Sequence, residues 1–267
     1  VALGDSYSSG LGAGNYLDDG TDCKRSLGGF PGVLAAANQL DLNLQACSGA
    51  VIKDVREHQL GALSSSTSLV SISVGGNDVG FAKVLTQCAQ PGWMSKCDQA
   101  IDQANREIDA LGAALDSLYA EISRRAPHAR IVVAGYPRLF NGRDCHAVTF
   151  FSGAEMSRLN KTADRLAGVL KSAAGRAGFT FADVRDSFTG HAVCDNPEWI
   201  HNLSMSVSQS FHPKLDGYRH GYAPPVASGL GLTSRAASHA QAASVKTGGQ
   251  TVSDPKRGRL DWRLITR

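Results

Sequence analysis

The chain has 267 residues, of which 42% are hydrophobic, and a formal net charge of +3. This length and composition are sufficient for the core of one α/β enzyme domain. They exclude two classes of protein, because no apolar run approaches the ~20 residues of a membrane span and the body of the chain has no basic patch for nucleic acid.

Strand-like and helix-like segments alternate along the chain. Short apolar runs predict five strands, at 1–3, 42–46, 69–74, 130–134 and 179–184. The clearest helical pattern covers 99–125, where apolar residues form one stripe and Pro127 marks the end, and a second helix is predicted over 155–176. Such alternation predicts an α/β fold, a three-layer α/β/α sandwich with a central parallel five-stranded sheet.

Three short motifs carry residues suited to acyl transfer. GDSYSSG, at 4–10, and GGND, at 75–78, each follow a predicted strand at its carboxyl end, where open α/β sheets bind ligands. FHP occupies 211–213. Because a serine hydroxyl needs a base within hydrogen-bond reach, Ser6 is the candidate nucleophile and His212 the candidate general acid and base.

Attack on an ester also creates an oxyanion, which requires fixed hydrogen-bond donors. The side-chain amide of Asn77, which follows two glycines, is one candidate. The backbone N–H groups of Ser6 and of Gly49, in the segment ACSGA, are the others. Together, the nucleophile, the base and these donors predict a serine hydrolase.

These segments resemble blocks I, II, III and V of the SGNH hydrolases, the GDSL esterase and lipase family, whose four hallmark residues fall on Ser6, Gly49, Asn77 and His212. Within the family, the chain looks most like secreted actinomycete lipases and A-type phospholipases, from residue 1 to about residue 228. The resemblance implies the flavodoxin-like SGNH-hydrolase fold. It also implies a lipid or phospholipid ester as substrate, with no metal and no cofactor.

One position departs from the family pattern. Relatives often have an acid three residues before the histidine, and here that position is Gln209. In other relatives a backbone carbonyl two residues before the histidine orients the imidazole, which would be the carbonyl of Ser210. A carbonyl can fix the tautomer of the ring. We therefore expect a Ser6–His212 dyad with Ser210 as the orienting group.

Several other interpretations remain open. Each motif alone is also typical of turns and helix caps. A metallophosphoesterase could use Asp5, Asp78 and His212 as ligands, but a two-metal site needs more ligands than these. Asp5 and Asp78 are therefore interpreted as hydrogen-bonding carboxylates. The same site could instead deacetylate a polysaccharide, or the fold could serve as a catalytically silent binding domain.

Six cysteines form an even set without a CxxC pair, which favours three disulfides in an oxidising compartment over a zinc site. The sequence itself leaves the connectivity open, although Cys88 and Cys97 flank a short loop and are expected to form a local bridge. The resemblance implies pairing in chain order: Cys23 with Cys47, Cys88 with Cys97 and Cys145 with Cys194. The chain begins within a strand, so we expect a removed leader and a secreted, extracellular protein, with a monomer as the default.

Two segments have less pattern. The segment 186–210, which contains Phe188, His191 and Trp199, either shapes a lipid pocket or is an ordinary disulfide-linked surface loop. The hydrolase domain is predicted to span 1–228. The tail, 229–267, is rich in small and basic residues, with a net charge of 7 − 2 = +5, and is predicted to be poorly ordered. A transient contact of the tail with a lipid surface is the functional alternative.

Overall fold

The computed structural model of the protein describes residues 1–232 and 244–249. Its strands are β1 (Ala2–Gly4), β2 (Asp41–Leu44), β3 (Leu69–Ser73), β4 (Arg130–Ala134), β5 (Thr180–Ala182) and β6 (Ser244–Thr247). They form one sheet in the order β5-β4-β3-β1-β2-β6, and every neighbouring pair is parallel. The chain order reverses direction across the sheet at β1, so the carboxyl ends of β1 and β3 flank a crevice of the kind in which such sheets bind ligands.

Helices cover both faces of the sheet. They are α1 (Ser6–Ser9), α2 (Phe30–Asn38), α3 (Ile52–Asp54), α4 (Phe81–Cys88), α5 (Cys97–Ala110), α6 (Gly112–Arg125), α7 (Gly153–Arg176) and α8 (Ala223–Leu230). On one face, α2 packs on β2 and α8 packs on β4 and β5. On the other face, α7 packs on β4 and β5, with α5 and α6 against it. The predicted three-layer α/β/α arrangement is therefore confirmed.

The predicted number of five strands was wrong, because the sheet has six. The sixth strand, β6, comes from the segment predicted to be a poorly ordered tail, and it pairs with β2 from Asp41 opposite Ser244 to Leu44 opposite Thr247. Without β6, β2 would be an edge strand with unpaired backbone N–H and C=O groups. A short extended segment of almost any composition can pair with such groups. The rest of the tail, 233–243 and 250–267, lies outside the described residues, and the domain boundary at 228 stays a prediction.

The helix predicted over 99–125 consists of two helices, α5 and α6, that meet at Leu111. The backbone of Leu111 keeps right-handed helical angles, but its N–H donates to the carbonyl of Ile108 at 3.2 Å instead of continuing the α-helical pattern. Gly112 follows directly, and glycine has a low helix propensity. The predicted apolar stripe is nevertheless entirely buried: Ile101, Ala104, Ile108, Leu111, Leu115, Leu118 and Ile122.

The position of α7 is fixed by polar contacts. Its start is a capping box, in which Ser152 Oγ accepts from the N–H of Glu155 at 3.2 Å and the Glu155 carboxylate accepts from the N–H of Ser152 at 2.8 Å. Its arginines then pair with aspartates of α5 and α6: Arg158 with Asp98 and Asp102, Arg165 with Asp109, and Arg176 with Asp116. Each exposed pair contributes little by itself, because water screens the charges. Because all three arginines lie on α7 and all four aspartates lie on its partners, the pairs together favour one register.

The cysteines form three disulfides in chain order, Cys23–Cys47, Cys88–Cys97 and Cys145–Cys194. This is the pairing that the family resemblance implies. Cys88–Cys97 joins the end of α4 to the start of α5. Cys145–Cys194 joins the loop before α7 to the segment that leads to His212. No helix within the described residues combines the length and apolar composition that a membrane span requires.

Reduction of the disulfides is expected to lower the melting temperature markedly. Each bridge restricts the unfolded chain and typically stabilises a fold by roughly 2–4 kcal/mol, more when the closed loop is longer. A Cys145→Ser/Cys194→Ser variant, which opens a loop with a sequence separation of 49, should therefore lose more stability than a Cys88→Ser/Cys97→Ser variant, which opens one of 9. Thermal unfolding measured by circular dichroism tests the order. Six free thiols in the native protein, detected by mass spectrometry, would contradict the prediction.

Candidate active site

Ser6 lies just beyond the carboxyl end of β1, as the first residue of α1. Asp5 is the N-cap of α1, and its side chain accepts from the N–H of Tyr7 at 3.0 Å. The turn into the helix requires glycine at position 4, where φ is +117° and a Cβ would lie 2.0 Å from the carbonyl oxygen of Ser73. The close approach of β1 and β3 at Gly4 thus helps to fix the position of the Ser6 hydroxyl.

Asp5 is buried and anchors the nucleophile turn. Its carboxylate accepts hydrogen bonds from the hydroxyl of Ser73 at 2.8 Å and from that of Tyr136 at 2.5 Å. Burial raises the pKa of Asp5 to about 6, and the hydrogen bonds that it accepts oppose the rise. Tyr136 also accepts from the N–H of Gly76 at 3.2 Å, so it connects the nucleophile turn to GGND. These contacts match the interpretation of Asp5 as a hydrogen-bonding carboxylate.

His212 contacts the nucleophile directly. Its Nε2 lies 2.8 Å from Ser6 Oγ, and its Nδ1 lies 3.0 Å from the carbonyl oxygen of Ser210. This geometry suits a ring that donates from Nδ1 to the carbonyl and accepts from the serine hydroxyl at Nε2. Burial lowers the pKa of His212 to about 4, and the hydrogen bond with Ser210 opposes the shift. The ring is therefore neutral near pH 7, which is the state that a general base requires.

No carboxylate within residues 1–232 or 244–249 hydrogen-bonds to the ring of His212. Three of the four nearest upstream acids bind other groups: Asp183 contacts Arg185, Asp195 accepts from the N–H of Ala192, and Glu198 contacts Lys214. At the position where relatives often have an acid, the side chain of Gln209 donates to the hydroxyl of Tyr16 at 2.9 Å.

The backbone before His212 is held in an unusual conformation. Phe211 has a φ of +62°, which is uncommon for a residue other than glycine. Its N–H donates to the carbonyl of His201 at 2.9 Å, and its own carbonyl accepts from the hydroxyl of Tyr7 at 2.9 Å. His201 is in turn fixed by a 2.9 Å contact between its Nε2 and the carbonyl of Gly12. Because Tyr7 belongs to α1, the helix that carries the nucleophile also holds the loop that carries the base.

Two of the predicted oxyanion donors, Ser6 and Asn77, line the same cleft as His212. Asn77 follows β3, and its side-chain amide donates one hydrogen to the carbonyl of Ala50 at 3.0 Å, so its second hydrogen remains available to the cleft that Asn77 lines with Ser6. Within the described part of the chain, the backbone N–H groups of Ser6 and Gly49 have no acceptor. Gly49 is buried with a φ of +83°, a conformation that favours glycine.

Ser6, Asn77 and His212 line the polar end of a cleft. The remaining walls are largely apolar and come from α4, α7 and the segment before His212. They include Phe81, Ala82, Leu85, Ala163, Leu166, Val207 and Phe211. The α4 wall was not predicted from the sequence, although Phe81 and Leu85 stand four residues apart shortly after GGND. A cleft with one polar end and apolar walls suits a carbonyl group attached to an acyl chain.

Only the end of the segment 186–210 lines the cleft. Its last residues, Val207, Ser208 and Ser210, line the cleft. Phe188 is instead buried in the core, and Trp199 stacks on His191 with ring centroids 3.6 Å apart. The segment therefore shapes the cleft only where it approaches His212.

The residues considered as metal ligands do not form one cluster. Asp78 accepts from the N–H of Ile52 at 3.1 Å, whereas Asp5 contacts Ser73 and Tyr136. Among the described residues, no group of three or more His, Cys, Asp or Glu side chains is arranged to hold a metal ion. The acidic residues of the two motifs thus position backbone segments on either side of the cleft.

Replacement of Asn77 with alanine is expected to lower kcat by about 10² to 10³-fold, because one oxyanion donor is lost. The change in KM should be small, since the donor acts mainly in the transition state. Steady-state kinetics with a soluble ester tests this. The matched control is Asn43→Ala, which removes a half-buried asparagine of β2 outside the cleft and should leave kcat unchanged. A raised KM with normal kcat in Asn77→Ala would contradict the assignment.

The fold and the cleft define a carboxylic ester hydrolase. Comparison with known proteins gives the family: the chain belongs to the GDSL-like lipase/acylhydrolase family, whose model matches residues 2–220. It is 45% identical to lipase 1 of Streptomyces coelicolor over 228 residues, which cover 84% of each chain.

Two solved structures are similar. A phospholipase A1 from Streptomyces albidoflavus superposes with a TM-score of 0.81 at 38% identity, covering 85% of this chain and 97% of that one. An extracellular lipase from Streptomyces rimosus gives a TM-score of 0.81 at 41% identity, with the same coverage. These comparisons confirm the resemblance found in the sequence.

Proposed function

We propose that the protein is a secreted, monomeric serine esterase that cleaves acyl esters of lipids or phospholipids. The observation that carries the proposal is the 2.8 Å contact between His212 Nε2 and Ser6 Oγ at the polar end of an apolar cleft. The three disulfides support secretion, because such bridges persist in oxidising compartments. A related lipase is described as extracellular.

In the proposed mechanism, Ser6 Oγ attacks the ester carbonyl carbon while His212 Nε2 accepts its proton. The resulting oxyanion receives hydrogen bonds from the N–H groups of Ser6 and Gly49 and from the amide of Asn77. When the tetrahedral intermediate collapses, His212 returns the proton to the leaving alcohol oxygen, and an acyl-enzyme remains on Ser6. Water then attacks the acyl-enzyme with His212 again as base, which releases the fatty acid and restores the serine hydroxyl.

The carbonyl of Ser210 serves as the orienting group in this mechanism. By accepting from Nδ1 it keeps the proton there, so that Nε2 can act on Ser6. The oxyanion itself compensates for the low pKa of His212, because a developing negative charge beside the ring favours the imidazolium. A carboxylate is therefore not required at Nδ1.

The pH dependence follows from the state of His212. Its pKa is lowered to about 4, so the neutral base predominates above that pH and is lost as the pH falls through it. We expect kcat/KM for a soluble ester to remain near its maximum down to about pH 5 and to decline about tenfold per unit below about pH 4. A pH–rate profile, limited to conditions where circular dichroism shows a folded protein, is the measurement. A midpoint near the ordinary histidine value of 6.5 would contradict the prediction.

A substrate panel tests the proposed substrate class. Phospholipids, triglycerides, nitrophenyl esters of increasing chain length and acetylated sugars should be compared, and the proposal requires preference for the lipid esters. Ala163→Phe narrows the apolar part of the cleft and should impair long-chain esters more than acetyl esters. Preference for acetylated sugars would indicate a carbohydrate esterase. Failure of Ser6 to react with a serine-directed phosphonate would indicate a silent binding domain.

A further inference from the structure

Four large apolar side chains are exposed among the described residues. Trp93 is 84% exposed, Met205 is fully exposed, and Val148 and Phe150 are about half exposed. A single exposed apolar residue needs no explanation, but several around one feature indicate an interaction surface. These four residues are here named the apolar rim, because each lies on a segment that is joined to a wall of the cleft.

Trp93 lies in the loop between α4 and α5. The Cys88–Cys97 disulfide closes this loop, and the hydroxyl of Ser95 donates to the carbonyl of Gln87 at 3.1 Å. The loop is thereby held against the end of α4, the helix that forms one apolar wall of the cleft. Trp93 is not needed for this arrangement, since its own side chain faces solvent.

Val148 and Phe150 lie in the loop before α7. The next residue, Phe151, is buried and packs on Phe211 with ring centroids 5.9 Å apart, and Phe211 lines the cleft. A surface groove is lined on one side by residues of the Trp93 loop and on the other by Glu155 in the first turn of α7. The Trp93 loop and the first turn of α7, which follows the loop of Val148 and Phe150, therefore lie side by side.

Met205 lies in a third segment, two residues before Val207 of the cleft wall. The turn around it is held by the N–H of Ser204, which donates to Ser210 Oγ at 2.9 Å. Ser210 is also the residue whose carbonyl contacts His212. The turn that carries Met205 is therefore connected through Ser210 to His212.

We propose that the apolar rim docks the enzyme on the surface of aggregated phospholipid, with the cleft opening towards the lipid. The proposal rests on the proposed function. Its basis is that the three segments carrying the rim also reach the cleft walls, through α4, through the contact of Phe151 with Phe211 and through Val207. A lipid surface that contacts the rim would therefore bring acyl chains close to the apolar cleft. Tryptophan suits such an interface, because one part of its ring system is apolar and its N–H can contact the polar headgroups. The four side chains carry no charge, so docking should depend little on salt.

Binding is measured separately from catalysis. The Ser6→Ala protein, which cannot consume the lipid, is sedimented with phosphatidylcholine vesicles at low and high salt. The triple substitution Trp93→Ser, Phe150→Ser and Met205→Ser in this background should weaken partitioning by about tenfold or more. Because these side chains are exposed, the melting temperature should be unchanged. Met205→Ser alone, which removes a fully exposed side chain, should weaken binding in the same direction.

Activity gives the second readout. With active protein, the triple variant should hydrolyse vesicle phospholipid about tenfold more slowly, whereas its turnover of a dissolved short-chain nitrophenyl ester should stay within about twofold of the unmodified enzyme. The matched control is Trp93→Ser combined with His128→Trp. It preserves the number of exposed tryptophans but moves one to the loop that enters the amino end of β4, and it should not restore vesicle binding.

Three outcomes would overturn the proposal. Equal vesicle binding by the triple variant would show that the rim does not dock, and an equal loss on vesicles and on the dissolved ester would show that the loops act on the cleft instead. Dimerisation that the triple substitution abolishes, without vesicle binding, would assign the rim to a second copy of the chain. Failure to hydrolyse any ester would refute the proposed function, but the binding result with the Ser6→Ala protein would still stand on its own.

Discussion

Replacement of Ser6 with alanine is expected to lower kcat by about 10⁴-fold or more while the protein stays folded. Ser6 Oγ is the atom that would form the acyl-enzyme, and members of a nucleophile–base unit lose their effect together. The substitution removes only the hydroxyl group, which contacts His212 Nε2, so the packing of α1 should change little. Initial rates with a soluble ester, together with melting temperatures, provide the measurement.

A serine in the same cleft provides the control. Ser208 lines the cleft but forms no hydrogen bond with the ring of His212, so Ser208→Ala should retain kcat within a few-fold. A phosphonate probe followed by peptide mapping should label Ser6 and no other serine. Near-normal turnover by Ser6→Ala would exclude the proposed serine mechanism, whatever the behaviour of the control.

Replacement of His212 with alanine is expected to inactivate the enzyme to a similar extent, whereas no single upstream carboxylate should be essential. The Nδ1 atom of His212 contacts the carbonyl oxygen of Ser210 at 3.0 Å and no carboxylate in the described residues, whereas loss of a true triad acid can cost ~10⁴-fold in kcat. The variants to compare are Asp183→Asn, Asp186→Asn, Asp195→Asn and Glu198→Gln. Each should lose less than about tenfold, which corresponds to about 1.4 kcal/mol of barrier.

The acid variants have structural consequences that must be separated from catalytic ones. Glu198 contacts Lys214 at 2.6 Å and accepts from the N–H of Cys194, so its replacement can lower stability without a role in proton transfer. Rates should therefore be measured well below the melting temperature of each variant. A drop of several orders of magnitude in one folded amide variant would identify a hidden triad acid and disprove the dyad.

The sequence predicted those residues of the candidate site that stand in short motifs, and the structure places Ser6, Asn77 and His212 around one cleft. Ser6, Asn77 and His212 were predicted because each follows a recognisable strand or stands in a distinctive tripeptide. The contacts that hold them were not predicted. Tyr136 meets Asp5 across 131 positions of sequence, and Tyr7 meets the carbonyl of Phe211 across 204. No local sequence pattern indicates such tertiary contacts, since a tyrosine that makes them looks in the sequence like any other core residue.

Most of the fold could also be predicted from local patterns. The prediction was wrong at the sixth strand and at Leu111, where no local apolar pattern marks the structure. Apolar runs and the stripe of α5 and α6 depend on burial, which the sequence records residue by residue. The sixth strand depends on backbone pairing at the edge of β2, to which side chains contribute little. The break at Leu111 depends on a local change of hydrogen bonding that leaves the apolar period intact.

The two residues of the proposed dyad are 206 positions apart in the sequence. A ribosome therefore delivers the nucleophile among the first parts of this domain and the base among the last. No nascent chain that stops before residue 212 can contain the pair, so hydrolytic activity cannot begin until nearly the whole domain has been synthesised. If the proposed dyad is correct, a phosphonate should label Ser6 only in molecules in which the segments of Ser6 and His212 are in contact. The labelled fraction would then measure how many molecules have folded completely.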